Sequence, residues 1–399
     1  MRSLFNYRNY GRLWRVYGRS VLRYTTAKKV FNALKTEWAY RRRIADVRSY
    51  PYILFLEPLY YCNLDCPFCD RQVFPDARQG REGAGKLSLE LFDRILEEAG
   101  DYLFQCQLFG QGEPMLDWPR SKAIIQKCHQ RWIFTLLSTN CTLITPKSAD
   151  EIVTCGLDHL VCAIDGISQA SYAKYRVGGD VEEALAGMRH VVEARRRRRS
   201  GIEIEWQFLV HKDNVHELPQ AQKMAAELGV VLRTSPLRGM EFDEDLQREW
   251  LPDAASPEGA PYQAGRMVAG QTIYPWPCYF LWRSLVLNSN AKVARCLVFQ
   301  NVSEYGSLNE ASVHSLYNHP SAQRARQLFS KKPVPEGPFP APCNNCSWYE
   351  RHHGGPNLDK YASLRATNEE LESSFGASFV PVTVRPSSRR NAQLPPINA

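Results

Sequence analysis

The sequence predicts an α/β fold. Six parallel strands with five helices outside them form a sheet that is open or closed into a partial (β/α)6 barrel. A helical arm precedes this body and a small α+β unit follows it. Three observations predict this. Short apolar runs alternate with helical patterns from residue 52 to 235. Six strands joined by five helices imply a parallel sheet with helices outside. Charge also divides the chain, because residues 1–50 hold 13 Lys and Arg against only Glu37 and Asp46.

The 399 residues suffice for two compact domains. Apolar residues at 44% and charged residues at 23% exclude a disordered or fibrous chain. No apolar run reaches the roughly 18 residues that a membrane-spanning helix needs. Arg repeatedly interrupts the first apolar stretch, so no signal peptide is expected and a cytoplasmic location is. The formal charge of +8 divides into +11 for residues 1–50 and −3 for the rest. The body is slightly acidic, and nucleic acid is not an expected partner.

The arm, 1–50, reads as two basic amphipathic helices. Arg8, Arg12, Arg15, Arg19 and Arg23 share one face, and Tyr7, Tyr10, Leu13, Trp14, Tyr17, Val21 and Tyr24 the other. A second segment places Ala27, Val30, Phe31, Leu34 and Trp38 at helical spacing. Strands are expected at 52–57, 103–109, 133–138, 158–164, 203–210 and 230–235. Helices are expected at 88–99, 119–130, 146–155, 168–196 with a break at Gly178-Gly179, and 215–228. In such folds ligands bind at the C-terminal ends of the strands. The run Arg195–Arg199 reads as a solvated helix end, with a nucleic-acid patch as the alternative. The barrel is assigned to 51–240, a second unit to 241–376, and a disordered tail rich in Pro, Ser, Arg and Asn to 377–399.

Twelve cysteines could form six disulfides, but nothing exports the chain to an oxidising compartment. The spacing favours metal. Cys62, Cys66 and Cys69 form C-x3-C-x2-C shortly after the first strand, on the ligand-binding rim. Three thiolates can hold three irons of a [4Fe–4S] cube and leave the fourth open. Zinc would want four ligands. Cys278, Cys296, Cys343 and Cys346 form a second set, with C-x2-C at its end. The other five read as buried free thiols. His352-His353 reads as an exposed loop, and His216-Glu217 as an ordinary helix start.

With these motifs in this order, residues 52–235 resemble the radical S-adenosylmethionine (radical SAM) superfamily. The cysteine loop with Phe68 before its last cysteine resembles the family's cluster loop. Gly110-Gln-Gly-Glu-Pro114 resembles its "GGEP" motif, with Gln111 in place of one Gly. The resemblance implies that Gly112, Glu113 and Pro114 lie at the amino group of S-adenosylmethionine; by itself the segment is a strand-end turn. Ser138-Thr-Asn140 resembles the "TNG" segment, with Cys141 where Gly is usual. Ile164-Asp165-Gly166 resembles "S-x-D-G", with Ala163 at the Ser position and Asp165 left to contact the ribose. Arg176 matches an Arg that pairs with the carboxylate of S-adenosylmethionine, and Gln207 a pocket-facing residue of the fifth strand.

The last four cysteines resemble the twitch form of the SPASM extension, which holds an auxiliary [4Fe–4S] cluster; a structural zinc is the alternative. The resemblance implies reductive cleavage of S-adenosylmethionine and hydrogen abstraction from substrate. An electron donor such as flavodoxin or ferredoxin is implied as partner. With one fully ligated auxiliary cluster as acceptor, the expected reaction is net oxidation of a sugar or cyclitol alcohol, or of a lipid-linked substrate. The alternative is maturation of a ribosomal peptide or protein by cross-linking or epimerisation. Epimerisation would need a hydrogen donor, for which Cys141 and Cys162 are candidates. A non-catalytic iron–sulfur or zinc protein is the reading from another class. The arm fits either a peripheral helix on the inner membrane face or a docking helix whose aromatic side packs on the barrel.

Overall fold

The structure is a computed structural model that describes residues 23–69, 85–237, 244–262, 277–297, 300, 304–330 and 343. The first arm helix, Cys346, His352-His353 and the tail lie outside the described residues. The expected strands and helices appear in order. They are β1 (Ile53–Leu56), α2 (Leu89–Ala99), β2 (Gln105–Leu108), α3 (Trp118–Gln130), β3 (Phe134–Thr139), α4 (Pro146–Thr154) and β4 (His159–Ala163). Then come α5 (Gln169–Tyr175), α6 (Val181–Arg198), β5 (Glu203–Val210), α7 (Leu218–Leu228) and β6 (Val231–Pro236). All six strands pair in parallel with their sequence neighbours, without closing into a complete barrel.

Alternation along each strand separates two faces. Leu54, Leu56, Cys106, Leu108, Leu137, Leu160, Cys162, Trp206 and Phe208 join the helices in the main core. The opposite, lumen face carries Phe55, Phe109, Phe134, Leu136 and Val161 in smaller apolar clusters. Polar residues share that face: Arg233 bonds both Glu205 and Gln207 there. Tyr24, from the arm, packs on Phe134, Leu136 and Val161 and donates to Asp158 Oδ1 at 2.6 Å. Tyr24 therefore sits at the lower end of the lumen beneath β3 and β4.

Local signals explain the helix limits. Thr145 and Ser148 form a capping box before α4, with Pro146 in its first turn. α6 starts at Asp180, whose side chain accepts from the Glu182 and Glu183 amides, and ends in Arg195–Arg198. That basic run is engaged within the fold. Arg197 and Arg198 reach Asp150 at 2.8 and 3.3 Å, and Arg195 donates to the Gly229 carbonyl at 3.0 Å. The break between α5 and α6 falls at Gly178, with φ of +85°, and Gly179, where a Cβ would meet the Tyr172 ring at 2.9 Å.

The chain after residue 276 does not stand apart from the barrel sheet. α8 (Glu244–Trp250) covers the rim, and after α9 (Phe280–Arg283) strand β7 (Ser284–Leu287) pairs in parallel with β1. β8 (Lys292–Ala294) and β9 (Glu304–Ser307) extend the sheet antiparallel, giving nine strands in the order β6-β5-β4-β3-β2-β1-β7-β8-β9. α10 (Val313–Tyr317) and α11 (Pro320–Gln327) follow. Arg326, 1% exposed, donates to the carbonyls of Leu281, Ala45 and Tyr317 at 2.7–2.8 Å.

The second arm segment is helix α1 (Ala27–Arg42), and it faces opposite to a helix that docks by its apolar stripe. Lys29, Asn32, Thr36, Ala39 and Tyr40 are buried, while Phe31, Leu34 and Trp38 are 65%, 61% and 59% exposed. Polar contacts decide the orientation. Asn32 exchanges two hydrogen bonds with the Tyr50 backbone at 2.8 and 2.9 Å, and Tyr40 donates to the Pro277 carbonyl at 3.0 Å. Glu37 pairs with Arg283 at 2.6 Å. α1 is thus built into the body.

Burial pushes the Lys29 ammonium, which donates to the Trp132 carbonyl, down to about 8 from its ordinary 10.5. Between these values the unfolded chain holds a proton that the folded chain lacks, so this residue's contribution to stability rises with pH. Comparing the parent with Lys29→Met by denaturant unfolding at pH 7.5 and pH 9.5 should show the Met variant's advantage shrinking as pH rises. A pH-independent difference would refute it.

Candidate active site

The C-terminal ends of β1 to β5 converge on the loop that follows β1. Backbone bonds pin this loop: Asp65 N donates to the Val177 carbonyl at 2.9 Å, and Cys69 N to the Cys66 carbonyl at 3.1 Å. Asn63 exchanges bonds with Asn140 and Thr142, both at 2.9 Å. Cys66 is buried, and Cys62 and Cys69 are partly exposed. Among the described residues, no three of His, Cys, Asp or Glu lie close enough to share one metal ion. A [4Fe–4S] cube takes each thiolate at a separate iron, so cysteines that would hold one need not converge on a single point.

The segment after β2 lies directly against this loop. Glu113 N donates to the Tyr61 carbonyl at 2.8 Å. At Gly112 a Cβ would meet the Leu59 carbonyl oxygen at 2.0 Å, so only glycine fits. Glu113 is buried, and burial raises its pKa against three hydrogen bonds. Its carboxylate accepts from Thr139 Oγ1 at 2.7 Å, Asn140 N at 2.8 Å and Met115 N at 3.0 Å. It therefore ties the β2 and β3 rims together. Pro114 starts a short 3-10 turn, Pro114–Asp117, that leads into α3.

Asp165, just after β4, is fully buried. It accepts from Arg176 Nε and from Leu209 N, both at 2.6 Å. Arg176 also turns Nη1 toward Cys66 Sγ at 3.6 Å. Burial opposes the guanidinium charge, but Asp165 and the Cys66 thiolate outweigh it and raise its pKa. The structure brings Asp165, Arg176 and Cys66 into one chain of contacts, while Gln207 sits lower on the lumen face beside Arg233. Ser138 lies one residue before the end of β3, across from Val161.

Phe68 joins an aromatic group missed from the sequence. Its ring lies 5.1 Å from Trp250, edge-on, and 6.4 Å from Tyr175, stacked. His211, fully buried, lies 5.9 Å from Trp250. Burial lowers the His211 pKa, keeping the ring neutral; its Nδ1 accepts from Asp213 N, so the proton sits on Nε2. Glu57 was also missed. Buried at the end of β1, it accepts from Gln111 N at 3.2 Å on one oxygen and from Ser289 Oγ at 2.8 Å on the other. It joins the rim to the turn after β7. Glu217 does more than begin a helix, because it accepts from Ile167 N, Ser168 Oγ and Ser171 Oγ at 2.6–2.7 Å and holds the loop after β4.

Cys141 and Cys162 are both fully buried, in the core between sheet and helices rather than in the lumen. Cys141 adopts φ of +67°, the backbone state that the usual Gly would supply. Burial pushes its thiol well up, with Cys162 as hydrogen-bond neighbour. Placed there, neither thiol reaches a substrate in the barrel.

Cys278 and Cys296 lie at the opposite end of the sheet. Because β7 runs parallel to β1, Cys278 before it sits at the N-terminal side of the sheet, as does Cys296 after the returning β8. Arg295 lies between Cys296 and Cys343; burial lowers its pKa and the two thiolates oppose that.

An open barrel of parallel strands with three thiolates on its first rim loop defines a radical SAM enzyme. Residues 56–204, the greater part of the barrel, match the family model for the radical SAM superfamily and form a radical SAM domain. It is similar to the PqqA peptide cyclase of Gluconobacter oxydans, 28% identical over 362 residues, which is 84% of this chain and 96% of that protein. It is 29% identical over 169 residues to the pre-heme d1 synthase of Dinoroseobacter shibae, spanning 42% of this chain and only 39% of that one. In fold it resembles the crystal structure of Streptococcus suis SuiB bound to S-adenosylmethionine, with TM-score 0.55 and 15% identity over 88% of this chain and 84% of that one.

Its cofactors are S-adenosylmethionine and a [4Fe–4S] cluster. The rim fits them: three thiolates stand on one pinned loop, and the buried His211 Nε2 and Tyr172 Oη have no hydrogen-bond partner among the described residues. When bound, the pair supplies an electron and a carbon radical that removes hydrogen from an unactivated C–H bond. Of the chain's own residues, Cys62, Cys66 and Cys69 would hold such a cluster, Arg176 stands as a fixed cation beside Cys66, and the Glu113 and Glu57 struts hold the rim in shape.

Proposed function

We propose that this enzyme matures a peptide, forming a cross-link within a ribosomally made substrate. The observation that carries this reading is the similarity to a PqqA peptide cyclase along 84% of this chain and nearly the whole of that relative. The preference for sugar or cyclitol oxidation rested on cysteine spacing, a narrower signal than similarity over 362 residues. Glu113, Asn140, Asp165 and Arg176 are proposed to surround S-adenosylmethionine, with Phe68, Gly112, Pro114, Ser138 and Gln207 lining its site. Cys278, Cys296, Cys343 and Cys346 are proposed to hold one auxiliary [4Fe–4S] cluster that accepts the substrate's electron. A flavodoxin or ferredoxin supplies electrons to the first cluster.

Oxidation of an alcohol stays as a second reading. What favours it is that no cysteine follows Cys346, leaving ligands for a single auxiliary cluster. Anaerobic turnover with S-adenosylmethionine and a short peptide encoded beside the gene decides between them. The expected product has lost two hydrogen atoms and gained a covalent link that survives proteolysis, as read by tandem mass spectrometry. An unmodified peptide alongside oxidation of a polyol would overturn the peptide reading.

A further inference from the structure

Helix α1 presents an apolar stripe to solvent, and its orientation is fixed. Val30, Phe31, Leu34 and Trp38 are 38%, 65%, 61% and 59% exposed. At about 100° per residue they fall within an arc of roughly 100°. The opposite side is anchored by Lys29, Asn32, Thr36 and Tyr40. The Thr36 hydroxyl lies 2.6 Å from that of Ser49, and each of the other three is bonded to backbone of the body. Rolling the helix to hide the stripe would break these buried bonds, each costly to leave unmade.

The charges around the stripe point to what covers it. Lys35 and Arg42 flank one side and Arg41 lies at its C-terminal end, all exposed, while Lys28 next to them is paired with Asp101 at 2.7 Å. The helix's single acid, Glu37, is turned away and held by Arg283 at 2.6 Å and Tyr52 at 2.6 Å. Residues 1–22 add five Arg and no acidic residue. A second copy meeting this face would bring like charge against like. An anionic surface that also accepts Trp, Phe and Leu satisfies both halves of the pattern. No helix among the described residues is long and apolar enough to cross a membrane, so the contact is with the surface.

We propose that α1 is a membrane-docking helix, which seats Phe31, Leu34 and Trp38 in the interface of an anionic bilayer while Lys35, Arg41 and Arg42 meet lipid headgroups. This does not depend on which substrate the barrel takes. Because α1 is part of the body, docking fixes the barrel's tilt over the membrane, which a tethered tail would leave free.

The test is flotation of the cluster-loaded full chain with vesicles of phosphatidylglycerol and phosphatidylcholine, against vesicles of phosphatidylcholine alone. The triple variant Phe31→Ser, Leu34→Ser, Trp38→Ser touches only exposed positions, and its iron content and circular dichroism check its fold. The parent is expected to float with anionic vesicles, losing about tenfold or more of that binding on neutral vesicles or in the triple variant. The variant Lys35→Gln, Arg41→Gln, Arg42→Gln should lose binding and flatten its salt dependence. Equal flotation of parent and triple variant overturns the proposal. So does a parent that ignores vesicles, whether it self-associates through this stripe or exposes the stripe only when residues 1–22 are deleted.

Discussion

Replacing Cys62, Cys66 and Cys69 together by Ala should lower iron from about eight to about four per chain after anaerobic reconstitution, and abolish reductive cleavage of S-adenosylmethionine. The loss should be specific to the ligands. The loop is held by backbone bonds, Asp65 N to the Val177 carbonyl and Glu113 N to the Tyr61 carbonyl, that Ala leaves in place. The four remaining irons report on the second cysteine set. Parent protein with only about four irons and stoichiometric zinc would refute the auxiliary cluster. Cleavage surviving in the triple variant would remove this loop from the chemistry.

Replacing Arg176 by Gln should have the next largest effect, because Asp165 and Cys66 lose one shared guanidinium. Asp165 would keep only Leu209 N while staying fully buried. Breaking a buried pair in this way costs about 3–5 kcal/mol, read as a lower unfolding midpoint. Cys66 would lose a charged donor at its sulfur, so the cluster's reduction potential should fall in a potentiometric electron paramagnetic resonance titration. Affinity for S-adenosylmethionine should fall by tenfold or more, on the order of a lost charged hydrogen bond. Lys should not rescue, because one ammonium cannot reach Asp165 and Cys66 with the geometry of a planar fork. An Arg176→Lys variant with parental potential and stability would show that charge alone suffices.

The alternation of strands and helices was readable because each buried parallel strand is a short apolar run, and the helices from Leu89 to Arg198 each carry an N-cap side chain. The rim residues were readable because they crowd into short motifs after those strands. The facing of α1 was not. Phe31, Leu34 and Trp38 form a stripe that ordinarily packs inward, and what overrides it is Asn32 meeting Tyr50 and Lys29 meeting Trp132. Those partners are distant in sequence or are backbone atoms, which no periodicity reveals. The same holds for β7, which inserts beside β1 from far along the chain. Glu57 and Glu217 stayed hidden for a related reason, since their amide and hydroxyl donors are brought to them only by the fold. Cys141 and Cys162 lay near strand ends in sequence, but strand alternation turns them away from the lumen.

The pairing of β1 with β7 has an electrical consequence. The first cysteine loop and the pair Cys278 and Cys296 stand at opposite ends of the strands, separated by stretches such as Ile53–Leu56, four residues long. Four residues of strand span about 13 Å. Electron tunnelling decays steeply with distance, and here hydrogen-bonded neighbouring strands set the gap. On the auxiliary-cluster reading proposed above, a substrate in the lumen would lie inside that gap, and its electron would cross a length set by the strands.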